Sequence, residues 1–447
     1  MTLPRRAVRR LLSTQLPNKL DFSNTEAAYA HLSQRDLARA LFVLQMCSVD
    51  SIVDNSLELM KLSEKMLPGP LFRWIMENTI YGHFVPGETH EDVARSFERY
   101  RDAGVRYFPA ASVEDELNEE EEYSADVEAA LDENAAMIAD SIQLADFLGG
   151  EKDKRNSKVA TKLSAIIKPR LLTLISSRLI ENGGIPLMKA SELHARMEEA
   201  ADERNCLPQY TKAVNRLDSL IKDVNERGIS IFIDAEHSYM QPAICSLVLY
   251  MQSKYNRRNR LTVFNTQQTY LKDGEDSHRR NLEIARLSQF DYATKVVRGA
   301  YMVFERAHAK RRRRPDPIHD TYENTTASYH RVVNDMMERA AAGEGAVMAA
   351  SQNENTVNFV ANRMESLAIA KDSGQVTFGQ QLGMADHITF PLGREGYLVY
   401  KYSPYGSIAS TLAYLCRRAQ ENRTVLKGLR QENKLLAAEW KRRYENP

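Results

Sequence analysis

The sequence predicts an α/β fold: a distorted (β/α)8 barrel of TIM type, with a helical arm in front of it. Three observations predict this. From residue 104 onward, eight short runs rich in apolar and β-branched residues recur, at 104–110, 159–166, 229–236, 261–267, 293–301, 346–351, 376–382 and 397–405. Several are nearly continuous apolar runs, as strands are when both faces of a parallel sheet are covered. Longer segments of helical periodicity separate them, which makes each run part of a βαβ unit. Eight such units close into a barrel of about 250 residues, with a doubly wound open sheet as the alternative. The first crossover (111–158) and the second (167–228) are long enough to carry extra helices.

Residues 25–100 read as a helical arm. Leu37, Leu41 and Leu44 recur at helical spacing behind the capping residue Ser33, and Leu57, Met60 and Glu64 continue a mixed face. Pro68-Gly69-Pro70 breaks that run, and Pro86-Gly87 marks a second turn. The acidic stretch at 113–126 has consecutive carboxylates that do not converge on one face, so it reads as a solvated loop or an exposed helix start. The barrel is expected over 101–435 and a C-terminal tail over 436–447.

Composition narrows the function classes. Lys plus Arg and Asp plus Glu both total 60, so no global charge bias points to nucleic acid or to an anionic surface. The four cysteines, at 47, 206, 245 and 416, lack C-x-x-C spacing and suit neither a zinc site nor a disulfide framework. No apolar run is long enough to span a bilayer. Arg5, Arg6, Arg9, Arg10 and Lys19 all precede the first acid, Asp21, with Ser13 and Thr14 among them. Such a start reads as a mitochondrial transit segment over 1–24, with a disordered basic tail as the alternative.

Barrel enzymes carry reactive groups at the C-terminal ends of their strands. Here the runs finish in Lys162 (read as mid-strand), Asp234-Ala235-Glu236, Gln267-Gln268, Arg298-Gly299-Ala300-Tyr301, Ser351-Gln352-Asn353, Gln380-Gln381 and Tyr402. Any one of these alone is a loop residue; together at one rim they make a site. Beyond Gly406, Ser407 and Ser410, the residues Tyr414, Arg417, Arg418 and Glu421 fall at i, i+3, i+4 and i+7, on one helix face. Glu421 can hold a guanidinium, and arginine grips a carboxylate with a planar two-bond fork. An exposed ion-pair stripe is the competing meaning of that spacing.

The strings KLSAI, IDAEHSYMQPAI, FNTQQTYL, KVVRGAYM, DPIHDTYENT, FGQQLGM, YKYSPYG and YLCRRAQEN, over roughly residues 75 to 435, resemble the motifs of the proline dehydrogenase family, in the family's order. The versions are more similar to the stand-alone mitochondrial enzymes than to the bacterial bifunctional ones. The resemblance implies an FAD enzyme on a (β/α)8 barrel whose final helix lies over the barrel mouth. It implies oxidation of L-proline to Δ1-pyrroline-5-carboxylate by hydride transfer to flavin N5, with electrons passed to a quinone. It implies Arg417, Arg418 and Lys162 around the proline carboxylate, with Glu421 positioning the arginines. Asp234, Tyr301, Tyr402 and Tyr414 would line the proline pocket, and Gln268, Lys295 and Arg298 would contact the flavin. Lys162, Asp234 and Tyr301 are the residues expected to bear on the chemistry. No metal and no nucleic acid is expected. The implied setting is mitochondrial, in the matrix or at the matrix face of the inner membrane, with peripheral contact to that membrane.

Two residues depart from the family's pattern. Gln352 stands beside Asn353 where the family often has histidine at a flavin contact, and Gln381 stands where an apolar residue is expected against the substrate ring. The chain has no G-x-G-x-x-G, so any FAD must lie on the barrel rim itself. Three other readings remain: hydroxyproline oxidation on the same fold, a flavin-free lyase using Lys162 for a Schiff base, and a non-catalytic protein. The last would bind RNA or acidic lipid through the basic run 310–314, which otherwise reads as a solvated loop before Pro315.

Overall fold

The computed structural model describes residues 20–113, 124–181, 185–421 and 429–445. The basic start through residue 19 and the acidic residues 114–123 lie outside them. Eight strands, β1 (Val105–Ala110), β2 (Lys158–Thr161), β3 (Ser230–Ile233), β4 (Val263–Gln268), β5 (Tyr292–Val297), β6 (Gly345–Ala350), β7 (Val376–Gln381) and β8 (Val399–Pro404), pair in sequence order. All pairs are parallel, and β8 returns to β1 with Val105 opposite Val399, so the sheet is closed and the open-sheet alternative is set aside.

Each expected run holds one strand, but several strands stop early at the C-terminal end. β2 stops at Thr161, so Lys162, read from sequence as mid-strand, is the first residue beyond it and leads a 3-10 turn, Leu163–Ala165. The run looked longer because Leu163, Ala165 and Ile166 are themselves buried under neighbouring elements. Tyr301 beyond β5 and Tyr405 beyond β8 are buried too, for the same reason. Inside the barrel, Phe108, Phe232, Phe264, Met348 and Tyr400 interleave with Ala110, Ala160, Ala293 and Ala346, large against small. This is the packing that a solid barrel interior needs.

The crossovers divide unequally. The second carries three helices, Pro169–Glu181, Ala190–Asp202 and Leu207–Arg227, as its length implies. Among the described residues the first carries one long helix, Ala125–Asp153, kinked at Gly150, and a single 3-10 turn. Ser124 caps that helix just past the acidic stretch by accepting from the Val127 amide.

The arm is helical throughout its expected span. Ser33 caps Gln34–Cys47 through the Asp36 amide, and Pro68-Gly69-Pro70 both ends Ser56–Met66 and begins Gly69–Asn78. The arm folds back onto the barrel rim rather than standing apart. Ala28, Tyr29, Leu37, Ala40, Leu44 and Val53 form one apolar cluster with Met384 beyond β7 and Leu436. The expected tail from 436 is, as far as Glu445, the continuation of a helix, Leu429–Glu445, whose Leu436 and Glu439 are buried. Arg443 of that helix donates to the carbonyls of Tyr29 and Leu32, tying it to the arm.

Candidate active site

At the C-terminal rim, the barrel, the arm and the helix Ile408–Glu421 enclose a cavity of about 1050 Å³. That is far more room than a five-membered ring requires, and it reaches the size of pockets for large ligands. Lys162, Asp234, Gln268, Lys295, Arg298, Tyr301, Gln352, Asn353, Gln381, Tyr402, Tyr414 and Arg418 all line it. Thus twelve of the fourteen residues singled out from sequence meet in one space. Arg417 is not among the described lining residues, and the Glu421 side chain lies outside the described residues.

Asp234 organises the barrel side. It follows β3, and its amide donates to the Thr161 carbonyl, which extends the β2–β3 ladder by one step. One carboxylate oxygen takes Lys295 Nζ, from the middle of β5; the other accepts from the Tyr402 hydroxyl at 3.2 Å. The Lys295 ammonium also lies 5.6 Å from the Tyr402 ring centre and 6.0 Å from that of Phe108. Burial, with Asp234 next, holds the Tyr402 phenol well above its ordinary pKa, so it stays a neutral donor. A fixed lysine–aspartate–tyrosine chain therefore crosses three strands at the cavity floor.

The last helix supplies the roof. Arg418 Nη1 donates to the Tyr301 hydroxyl at 3.2 Å, and its guanidinium lies 5.5 Å from the Tyr414 ring centre. Tyr301 has φ of 56°, the left-handed region that a bulky residue seldom adopts, and it begins the helix Met302–Arg311. On the helix Ile408–Glu421, Tyr414, Leu415, Cys416, Arg418 and Ala419 line the cavity. At about 100° per residue, Arg417 falls on the opposite flank of Tyr414 from Arg418. The stripe 414/417/418/421 seen in the sequence is therefore turned by part of a residue step from the face the fold presents.

A second group lines the far side. Arg298 is held by Thr356 and Thr326 at 2.6 and 2.7 Å and lies over the Tyr322 ring at 4.8 Å. Asn353 caps the helix Glu354–Ser366 through the Thr356 amide and donates to the Tyr322 hydroxyl, so it serves the fold and faces the cavity at once. Gln268 is fixed between the Glu236 carbonyl at 2.9 Å and the Tyr270 hydroxyl at 2.8 Å. Gln352 turns its amide toward the Met384 sulfur at 3.9 Å, a weak partner. The Gln381 amide makes no hydrogen bond with another described residue.

Other cavity residues went unnoticed in the sequence. His319 lines the wall with a buried Nε2 that has no hydrogen-bond partner among the described residues, and the string DPIHDTYENT was its only signal. Met46, Ile52 and Val53 of the arm also reach the cavity, and nothing distinguishes them in sequence from ordinary helix core. Beneath Gln381, the fully buried Lys401 of β8 donates to the carbonyls of Gln381 and Met384 and pairs with Asp386 at 2.7 Å. His31 of the arm takes the other Asp386 oxygen at 3.2 Å. Burial alone would raise the Asp386 pKa, but Lys401 and His31 overcome it and hold the carboxyl far below its usual range.

A proline dehydrogenase family model matches residues 93–431, from the helix before β1 past the roof helix. The chain belongs to the proline dehydrogenase family. As a member of it, the protein is an oxidoreductase. Hydroxyproline dehydrogenase from Xenopus laevis is 34% identical over 441 residues, spanning 97% of this chain and 92% of that protein. Proline dehydrogenase 1, mitochondrial, from Homo sapiens is 32% identical over 540 residues, spanning 95% and 90%. Among solved structures, proline utilization A from Bdellovibrio bacteriovorus, inactivated by N-propargylglycine, superposes with a TM-score of 0.62. At 16% identity that likeness is one of fold, and it spans 87% of this chain but only 41% of the other.

Proposed function

We propose that the protein oxidises L-proline to Δ1-pyrroline-5-carboxylate, using FAD and passing the electrons to a quinone, in mitochondria. The observation that carries this is the pairing of Arg418 on the roof with the Asp234–Lys295–Tyr402 chain on the floor of one cavity. A cyclic amino acid has one carboxylate, one amine and an apolar ring, and this cavity offers a counterpart to each. Arg418 would grip the carboxylate, with Lys162 as a second cation and Arg417 and Glu421 supporting from the same helix. Asp234, held by two donors, is the carboxylate available to take the amine proton. Tyr402 and Tyr414 would pack against the ring.

The cavity residues also fit a dinucleotide flavin. Its volume exceeds what the amino acid fills, Arg298 and Arg306 bring positive charge, and the orphaned His319 Nε2 is a polar atom awaiting a partner. Lys295, Arg298, Gln268, Gln352 and Asn353 would hold FAD. When bound, FAD would supply the acceptor for the hydride leaving the ring carbon. The chain's own part is to fix the substrate by its carboxylate and exclude water from that carbon.

A second reading, hydroxyproline oxidation, rests on Gln381, whose amide has no partner among the described residues and could meet a ring hydroxyl. The Tyr402 ring weighs against it, since it occupies the space beside the substrate ring. The test is anaerobic titration of the purified protein, followed at the flavin absorbance, with proline, 4-hydroxyproline and a ring carboxylate lacking the amine. Bleaching by proline, weak bleaching by hydroxyproline and none by the third is expected. A colourless protein, or bleaching by hydroxyproline alone, would sink the assignment.

A further inference from the structure

The helix Met302–Arg311, which starts at Tyr301, buries one stripe. Tyr301, Glu305 and Ala309 recur at i, i+4 and i+8, and all three are buried. The middle position of that stripe is a carboxylate, only 1% exposed. A buried charge is costly unless it is paired and hydrogen-bonded, and an apolar side chain of similar size would fill the place more cheaply. Among the described residues no lysine or arginine forms an ion pair with Glu305. Its carboxylate partners lie instead on the loop after β3. One oxygen accepts from the Ser238 amide at 2.8 Å and the other from the Ser238 hydroxyl at 2.6 Å, and His237 Nδ1 lies 3.8 Å away. Burial alone would raise the Glu305 pKa, but His237 and Ser238 overcome it and hold the carboxyl below its ordinary value, so the group is ionised at neutral pH.

That loop and that helix carry two sides of the site. Asp234 stands four residues before Ser238, and its amide is fixed to the Thr161 carbonyl, so the loop is tied at both ends. The His237 ring packs on the Tyr301 ring at 4.4 Å and on Phe304 at 4.2 Å, a wedge behind the tyrosine. The Glu305 amide donates to the Tyr301 carbonyl at 2.8 Å, across the turn that holds the left-handed Tyr301 backbone. Tyr301 in turn meets Arg418 through its hydroxyl. One buried carboxylate therefore joins the loop of Asp234 to the residue that holds Arg418.

We propose that Glu305 is a positioning residue for the reaction: by clamping the loop after β3 to the helix after β5, it sets the spacing between Asp234 and the Tyr301–Arg418 pair. The role rests on the function proposed above. Glu305 is not among the residues lining the cavity, so it acts through Ser238, His237 and Tyr301 and not by contact with a ligand. An α-amino acid presents its carboxylate and its amine on one carbon. A small change in the spacing thus loosens one grip or the other, and a misplacement of about 1 Å costs on the order of a hundredfold.

The test compares Glu305→Ala, Glu305→Gln and Ser238→Ala with the unmodified protein, each normalised to bound flavin. Two readouts are used: kcat and KM for proline with a soluble dye, and the affinity for cyclopentanecarboxylate, a ring carboxylate without the amine, from the perturbation of flavin absorbance. Glu305→Ala should keep flavin, weaken cyclopentanecarboxylate binding and raise KM for proline, each by about tenfold to a hundredfold. Ser238→Ala leaves the amide bond and should lie in between. Glu305→Gln still offers the Ser238 amide an acceptor and should recover most of the loss. A double-mutant cycle separates positioning from support of the fold. Glu305→Ala should cost far less cyclopentanecarboxylate affinity in a Tyr301→Phe background than alone, because the clamp acts through that hydroxyl. Additive losses, or a Glu305→Ala protein that melts earlier but binds and turns over as the unmodified one does, would make Glu305 a strut for the fold and overturn the proposal. Should Glu305→Ala fail to fold, Ser238→Ala and its cycle with Tyr301→Phe decide in the same way. An unmodified protein that binds cyclopentanecarboxylate but does not oxidise proline overturns the activity and leaves the clamp to be judged on carboxylate affinity.

Discussion

Replacing Arg418 by methionine separates a carboxylate-binding roof from a structural one. Methionine keeps most of the apolar stem and a helix-compatible backbone, so the change removes the guanidinium and little else. Two interactions go at once. The hydrogen bond to Tyr301, made by a charged donor, is worth about 1.5–3 kcal/mol, and Tyr301→Phe measures it separately. The proposed fork to a substrate carboxylate, under the roof helix, would be worth about 2–5 kcal/mol. In kcat/KM for proline the second loss is roughly thirtyfold to several-thousandfold. Arg418→Lys should recover only part, since an ammonium keeps the charge but not the planar fork. Flavin content, read from the absorbance of the purified variants, should be unchanged. A near-normal KM for proline in Arg418→Met would refute the reasoning and leave the guanidinium as a strut for Tyr301.

Arg417→Met should cost less than Arg418→Met in the same assay, because Arg417 lies on the flank of the helix turned from the cavity lining; an equal or larger loss would reverse that order. Lys401→Met should destabilise by about 3–5 kcal/mol in denaturant unfolding, since it strands the buried Asp386 carboxylate. Asp386 is depressed in the folded protein, so its contribution stands at neutral pH and is lost only in strong acid; in the variant its pKa rises, and the gap to the unmodified protein should narrow as pH falls. Lys158, buried among Phe232, Phe264 and Tyr400, is pushed down to about 7 by burial and then by Arg106. The unfolded chain thus binds more protons between about 7 and 10.5, stability should rise with pH across that window, and Lys158→Met should remove that part of the slope and raise Tm at pH 7. Tyr402→Ser should narrow the preference for proline over 4-hydroxyproline and Gln381→Leu should widen it; hydroxyproline favoured before any substitution would reverse the assignment.

The barrel was legible because parallel strands covered on both faces carry an unmistakable composition: all four residues of β3, Ser230–Ile233, are buried. Their ends were not legible, because the segments after β2 and β5 carry buried residues such as Leu163, Ala165, Ile166 and Tyr301, and composition does not distinguish a buried strand from a buried turn. The rim residues were found by reading strand ends, but their partners were not. That Asp234 holds both Lys295 and Tyr402 depends on which side of the barrel each strand turns, which three-dimensional closure decides. The arm shows the limit most clearly. Val53 and Leu62 are both apolar residues of the arm's helices, and nothing in the sequence tells them apart, yet one lines the cavity and the other faces solvent.

Two residues on the cavity wall carry left-handed backbone without being glycine, Tyr301 after β5 and Ala385 after β7. Each such residue costs on the order of 1–3 kcal/mol and persists only where its surroundings over-determine it. Tyr301 is gripped by Arg418 of the roof helix, and its carbonyl accepts the Glu305 amide. The amides of Ala385 and Asp386 both donate to Glu432, from the helix Leu429–Glu445. In both cases the restraint comes from the C-terminal part of the chain acting on a rim made by the barrel. The roof and the last helix therefore do more than cover the mouth: they hold two of the loops that line the cavity with Gln381 and Tyr402, the residues proposed to meet the substrate ring. A rim held in this way cannot collapse around a smaller side chain. Removing the Tyr402 ring then opens space where a hydroxyl can sit, and the change is read out as substrate choice rather than as loss of fold.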